Sequence, residues 1–383
     1  MPTAAFKEME VTSLPESERR TVFHSSGTTK QKPSRHFHHA ESLANYETSL
    51  LPWFARHLLP EQFLTLTLSP SERERKNKPG RGDNFEPTVR GETVQGDSLS
   101  PSDGERVRVR VARDFGIRIP ATFIFLTPSP SLAPHSSLVH MFETVRREFG
   151  SGDSRFTGGV DAKGAWTLDL KKLLLVLRRA TDADGPVIIL GTAFNFARLL
   201  DHLAEANVSF HFPVGTRLLE TGGYKGRSRA IPKHELYSLM TKHLGIPRSH
   251  IVSEYGMSEL SSQGYDQAVP SFGFRGTNSH SETLGAHTTE IADSQSPIAN
   301  RQSPMGPRAF HFPPWARAQI VSPETGREVR EGETGLIRVF DLANVWSVMA
   351  IQTEDLGVRR GHGFELIGRA AQAVARGCSL MTA

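Results

Sequence analysis

Two runs of four consecutive apolar residues, Phe123–Leu126 and Val187–Leu190, constrain this chain more than any other feature. Strand-length segments that are apolar at every position read as strands buried on both faces, the situation of a largely parallel sheet with crossover helices. Each run is followed by a helical period. After Leu126 a Pro/Ser loop runs through His135, and a helix is predicted from Ser136–Ser137 with Leu138, Met141, Phe142, Val145 and Phe149 on one face. After Leu190 come Gly191 and Thr192, then a helix whose apolar face holds Phe196, Leu199, Leu200 and Leu203. A third helix is expected behind Pro232 at a first helical position, with Leu236, Leu239, Met240 and Leu244 inward and Gly245 as its stop. The fold class is therefore α/β.

At 383 residues the chain suits one large α/β unit with embellishments. From Pro314 onward the text changes to short strands and turns: Ala316–Val321, a turn at Pro323–Gly326, then Gly332–Leu342 and Val348–Val358. Residues 1–313 are thus expected to form the α/β core and residues 314–383 a smaller β-rich subdomain, with a strand near Phe364, a turn at Gly368 and a short terminal helix. Ser69–Glu105 and Arg275–Arg308 are rich in charged, small and polar residues and poor in large apolar ones. Such segments bury too little to offset their ordering entropy, and both are expected to be mobile insertions.

The net charge of +4, from 45 basic and 41 acidic residues, is too small and too dispersed for a nucleic-acid partner. A single cysteine, Cys378, excludes an intrachain disulfide framework and a multi-cysteine metal site. No apolar run approaches the roughly 20 residues of a spanning helix, so no membrane span is expected. The first twenty residues lack the apolar core of a secretory signal, which makes a cytoplasmic location the expectation.

Several segments carry groups suited to nucleotide chemistry. Ser25, Ser26, Gly27, Thr28 and Thr29 supply hydroxyls and closely spaced backbone N–H groups that can wrap phosphate oxygens, with Lys30 and Lys32 adding positive charge. Gly222 and Gly223 permit close approach of backbone to a flat ligand, and Tyr255 offers an aromatic face. Glu259 is a candidate magnesium ligand, because Mg²⁺ commonly takes one or two protein carboxylates and completes its shell with substrate oxygens. Each residue alone is equally at home in an ordinary turn or core.

Taken in order, Ser25–Thr29, Pro134–Ser137, the ETGGYKGRSR run from Glu220, the EYGMSEL run from Glu254, Thr353–Gly357 and the RGCSL run from Arg376 resemble the LuxE-like acyl-protein synthetases. That family is similar to phenylacetate–CoA ligases and, more distantly, to the adenylate-forming superfamily. The resemblance spans nearly the whole chain outside the two insertions. It implies the large domain of an adenylate-forming enzyme without the C-terminal lid, and an ATP- and magnesium-dependent ligase that converts a long-chain fatty acid to acyl-AMP. The acyl group would pass to a cysteine thiol and on to an acceptor protein such as an acyl reductase.

Residue by residue, the resemblance makes Ser25–Thr29 the phosphate loop. Gly222, Gly223, Tyr255 and Gly256 become the AMP-binding pocket, and Glu259 the magnesium-binding acid. Asp355 would bind the ribose hydroxyls beside Arg369 of the hinge region, and His135 would lie near the acyl channel. Cys378 would be the acyl acceptor; a thiolate is the nucleophile there, and Arg376 is close enough in sequence to favour it. Lys30 stands where the family's loop carries glycine, and only 24 residues precede Ser25, fewer than the resemblance implies. Transfer to coenzyme A or a carrier protein, and an inactive nucleotide-binding scaffold, are the other readings of these motifs.

Overall fold

A computed structural model describes residues 1–25, 32–59, 120–222, 231–267 and 308–370. Both insertions, apart from Arg308, and the terminal helix expected after Gly368 lie outside the described residues.

The chain opens with a short helix α1 (Ala5–Glu8), then a hairpin of β1 (Thr21–His24) and β2 (Arg35–His38) that leads into the long helix α2 (Ala40–Leu58). Next come β3 (Thr122–Phe125), α3 (Ser137–Phe149), β4 (Arg155–Phe156) and a small hairpin of β5 (Gly158–Val160) and β6 (Trp166–Leu168). Three helix–strand pairs then follow. These are α4 (Leu170–Thr181) with β7 (Val187–Thr192), α5 (Ala193–Glu205) with β8 (Arg217–Thr221), and α6 (Lys233–Leu244) with β9 (Ile251–Tyr255). The described residues end with β10 (Gly264–Tyr265) and the strands β11 (Ala316–Val321), β12 (Thr334–Asp341), β13 (Ala350–Arg360) and β14 (Gly363–Arg369).

The central sheet has the order β10-β9-β8-β7-β3-β4. Strands β4, β3, β7, β8 and β9 are parallel, and β10 closes the edge antiparallel. Side-chain alternation divides the apolar runs between two cores. Phe123, Phe125, Ile188, Leu190, Leu219 and Val252 join the core under α2 and α3. Ile124, Leu126, Val187, Ile189, Leu218 and Ile251 join the core under α4, α5 and α6. This is the double coverage that the two apolar runs require.

The caps fall where the sequence places them. Ser136 caps α3 by accepting from the Val139 N–H, and Gly245 ends α6 in the left-handed conformation at φ 67°. Pro232 sits one position earlier than expected, as the N-cap of α6. Helix α2 has no counterpart in the sequence reading. Its stripe Tyr46, Leu50, Phe54 and Leu58 recurs every fourth residue, but Pro52 and scattered polar residues interrupt the surrounding text.

Strands β11 to β14 form an antiparallel sheet in sequence order. One face packs Ile320, Ile337, Val339, Ile351 and Phe364 against Phe6, Phe310 and Tyr255, which joins this sheet to the end of β9. Gly368 is not a turn: β14 runs through it to Arg369, with φ 146° and a register shift opposite Leu356 and Gly357. The bulge lets Arg369 pair with Asp355 across the ladder.

Candidate active site

Helix α3 leaves the end of β3 toward one face of the central sheet, and α5 leaves the end of β7 toward the other. Loops diverging in this way open a crevice at the carboxyl ends of the strands, the usual ligand position in open α/β sheets. A cavity of about 380 Å³ opens there. Ser137, Leu138 and Met141 line it from α3, Thr221 and Gly222 from β8, and Glu254, Tyr255, Gly256 and Glu259 from β9 and the turn after it. Ser25 lies at its rim, and Asp355, Gly368 and Arg369 bring the antiparallel sheet to it.

Three expected site residues form one hydrogen-bond network. The Tyr255 hydroxyl donates to Asp355 Oδ2 at 2.8 Å, and Arg369 Nε donates to Asp355 Oδ1 at 3.1 Å. Burial and the Asp355 carboxylate push the Tyr255 phenol well above its ordinary range, so it stays a donor. Its ring also meets Phe364 and Phe312 edge-on, at 5.2 and 6.2 Å between centroids. Tyr255 is thus both a core aromatic and part of the cavity wall. Gly222 lines the same wall with φ 69°, a conformation that costs a side chain with a Cβ.

The expected phosphate loop is the connection of the β1–β2 hairpin. Ser25 N donates to the Ser34 carbonyl at 3.1 Å and Ser25 Oγ accepts from Ser34 N at 2.9 Å, closing the loop at its root. Ser34 Oγ donates to Glu259 Oε1 at 2.7 Å, and Ser258 Oγ donates to Oε2 at 3.1 Å. The loop root and the buried Glu259 carboxylate are therefore neighbours, with Ser34 as a link absent from the sequence reading. All the donor atoms here are oxygens, which suits Mg²⁺. Among the described residues no group of three or more His, Cys, Asp or Glu could hold a metal, so an ion here would need substrate oxygens to complete its shell.

The Glu259 segment is held from behind. Asp341, fully buried at the end of β12, accepts from Ser261 N, Ser262 N, Ser262 Oγ and Ala343 N at 2.8 to 3.1 Å. Asn344 Nδ2 donates to the Glu259 carbonyl at 2.9 Å.

His135 is beside the cavity but not in its lining. Its ring stacks on His24 at 4.7 Å, its Nδ1 contacts the Val22 carbonyl at 3.1 Å, and its own carbonyl accepts from His24 N. It ties the loop before α3 to β1. Ser26, Gly27, Thr28, Thr29, Gly223 and Cys378 lie outside the described residues.

Two buried acids in the cavity were missed by the sequence reading. Glu220 accepts from Tyr237 and Ser253 hydroxyls at 3.0 and 2.7 Å, with Lys233 Nζ at 3.6 Å. Glu254 accepts from the Thr221 hydroxyl. Burial, reinforced by the charge of Glu220, pushes the Glu254 carboxyl up to about 7. Each acid lies in a strand all five of whose residues are buried, which the local sequence does not show.

The sign of the resulting pH dependence follows directly. A carboxyl whose value rises on folding favours the folded state while protonated, so its contribution is full below about 4.5 and disappears as pH rises through about 7. His36 and His57, driven down to about 4 by burial, act oppositely; their stabilisation is complete above about 6.5 and falls as pH drops toward 4. Glu254→Gln is expected to flatten the loss of stability between pH 5 and 7 by on the order of 2 kcal/mol. Denaturant titrations of both proteins across that range check it. A difference that does not change with pH would contradict the assignment.

Among the described residues no helix is long and apolar enough to cross a membrane. No protein-family model matches the chain, and no curated protein does. Solved structures do resemble it. ATP-bound MatB from Rhodopseudomonas palustris aligns at 15% identity over 92% of this chain and 48% of its own, with a TM-score of 0.46. A 2-hydroxyisobutyryl-CoA ligase aligns at 12% identity over 94% of this chain and 60% of its own, with a TM-score of 0.49. The amide bond synthetase McbA from Marinactinospora thermotolerans aligns at 12% identity over 95% of this chain and 52% of its own, with a TM-score of 0.44. The chain thus spans about half the length of the first of these structures, and the reading of the site rests on its own geometry.

Proposed function

We propose that this protein activates a carboxylic acid with ATP, forming an acyl-adenylate, and passes the acyl group to a thiol. The observation that carries the reading is the convergence of Tyr255, Asp355 and Arg369 in one network on the wall of a cavity that Ser25, Gly222 and Glu259 also line. Tyr255 and Asp355 are 100 residues apart in sequence, so the fold alone brings them together.

In this reading a carboxylate oxygen of the substrate attacks the α-phosphorus of ATP, the bond to the departing pyrophosphate breaks, and a mixed anhydride results. The thiolate then attacks the acyl carbon, AMP leaves, and the thiol proton goes to solvent. Gly222 and Tyr255 flank the nucleobase, Asp355 accepts from the ribose hydroxyls while Arg369 fixes its orientation, and the loop rooted at Ser25 surrounds the phosphates. Glu259, with Ser34 and Ser258 orienting its carboxylate, would hold Mg²⁺. The ion would neutralise charge on the transferring phosphoryl group. The work of the chain is mostly positioning.

For the acyl part we propose an aliphatic acid, which Leu138 and Met141 would flank on the α3 side of the cavity. The resemblance to acyl-protein synthetases extends this to a long-chain acid, with Cys378 as the thiol and an acyl reductase as the onward acceptor. The test is twofold. ATP–pyrophosphate exchange scanned across acids of graded length should show acid-dependent exchange, and incubation with the active acid should label the protein in a hydroxylamine-labile form. Cys378→Ala should keep the exchange and lose the label. A variant labelled as strongly as the parent removes Cys378 from the mechanism.

A further inference from the structure

Successive residues of a strand face opposite sides of its sheet, so Glu254 and Tyr255 serve different parts of the cavity. Tyr255 turns toward Phe310, Phe312 and Phe364. Glu254 turns toward the face covered by α2 and α3. Its neighbours there are Thr221 and Gln263, and Gln263 Nε2 in turn donates to the Tyr46 hydroxyl at 3.3 Å. A Cβ on Gly256 would collide with Glu254 Oε1, so the glycine leaves room for the carboxyl against the turn.

Glu254 is only 7% exposed, yet it lines the cavity. Oε2 takes the Thr221 hydroxyl, and among the described residues none donates to Oε1. Among the described residues, acids Glu220, Glu254, Glu259, Glu354 and Asp355 share the lining with Lys233 and Arg369 as the cations. Lys233 is committed to Glu220 and Asp266, and Arg369 to Asp355. A buried carboxyl whose Oε1 has no donor among the described residues, beside the apolar Leu138 and Met141, would be costly to leave against an aliphatic chain that carried no polar group.

Resting on the adenylation reading, we propose that the acid taken by this cavity carries an amino group, and that Glu254 receives it as an ammonium. The ion pair would form in a site shielded from water, where a charge-assisted hydrogen bond is about twice as strong as a neutral one. Burial holds the Glu254 carboxyl up, and among the described residues no cation is paired with it, so a ligand ammonium would supply one.

The test is calorimetric binding to the full chain, using aliphatic acids with an amine at the α, an internal or the terminal position. Each is paired with its unsubstituted parent and with the hydroxy acid of the same length. At least one amino acid should bind about tenfold or more tightly than both of its partners, as removal of a charged hydrogen-bonding partner implies. Glu254→Gln, which keeps the shape, should erase that preference. Parent or hydroxy acids binding as tightly as every amino acid, or no acid of the panel binding, overturns the proposal, and the wild-type comparison needs no variant to fold. Exchange of pyrophosphate into ATP is measured separately. Its absence with every acid would sink the adenylation reading even where the amino preference stands.

Discussion

Glu259→Gln is expected to lower acid-dependent ATP–pyrophosphate exchange by about 10²–10³-fold, a loss comparable to removing one preorganised electrostatic group from an active site. The amide is nearly isosteric and can still accept from one of Ser34 and Ser258, so the fold should survive; the other hydroxyl must turn to accept from the new NH₂. What disappears is the negative charge. Ser34→Ala supplies the graded control. It leaves the charge but frees one carboxylate oxygen, and about a tenfold to hundredfold loss is expected, equivalent to one hydrogen bond to a charged group. Equal losses in the two variants would mean that Glu259 acts by shaping the loop root and not by its charge.

The largest effect on stability is expected at Asp341. Asp341→Ala strips four donors of their acceptor at once, three of them backbone N–H groups, in a position with no solvent access. Orphaned buried donors cost about 1–3 kcal/mol each when nothing replaces the partner, and relaxation recovers part of this, leaving roughly 3–5 kcal/mol. Urea unfolding should show a lower midpoint at an unchanged slope. Activity should fall as well, because the turn that presents Glu259 is fastened by Asp341 and by Asn344. A midpoint within about 0.5 kcal/mol of the parent, the range of ordinary surface substitutions, would contradict this account of the turn.

The sequence announced β3 and β7 because burial on both faces leaves a run of four apolar residues at each. Phe123–Leu126 and Val187–Leu190 had few other ways to fold, and the helices after them carried clean apolar faces. Helix α2 was harder to see, since Pro52 and the polar residues around it blur a period that only the packed stripe Tyr46, Leu50, Phe54 and Leu58 makes plain. Gly368 misled for a related reason. Glycine marks turns and bulges alike, and which one it makes depends on a partner strand that local text does not name.

The site divides along the same line. Tyr255, Glu259, Asp355 and Arg369 were legible through ordered motifs, and three of them meet in one network. Ser34, Asp341 and Asn344 were not, because their role is to orient groups supplied by distant segments: Ser34 and Glu259 are 225 residues apart. Glu254 sat in view beside Tyr255 but was passed over, since an acid in a strand reads as solvated until its burial is known. His135 lay within a readable motif, yet its ring stacks on His24 outside the cavity lining.

The most direct test of the central claim follows the oxygen atoms. An active acid labelled with ¹⁸O in its carboxylate is incubated with the protein, ATP and a thiol acceptor, and the products are examined by mass spectrometry. Attack of the carboxylate on the α-phosphorus predicts one ¹⁸O atom in AMP and none in pyrophosphate. Label in inorganic phosphate with ADP as the nucleotide product, or unlabelled AMP alongside acyl transfer, would contradict an acyl-adenylate.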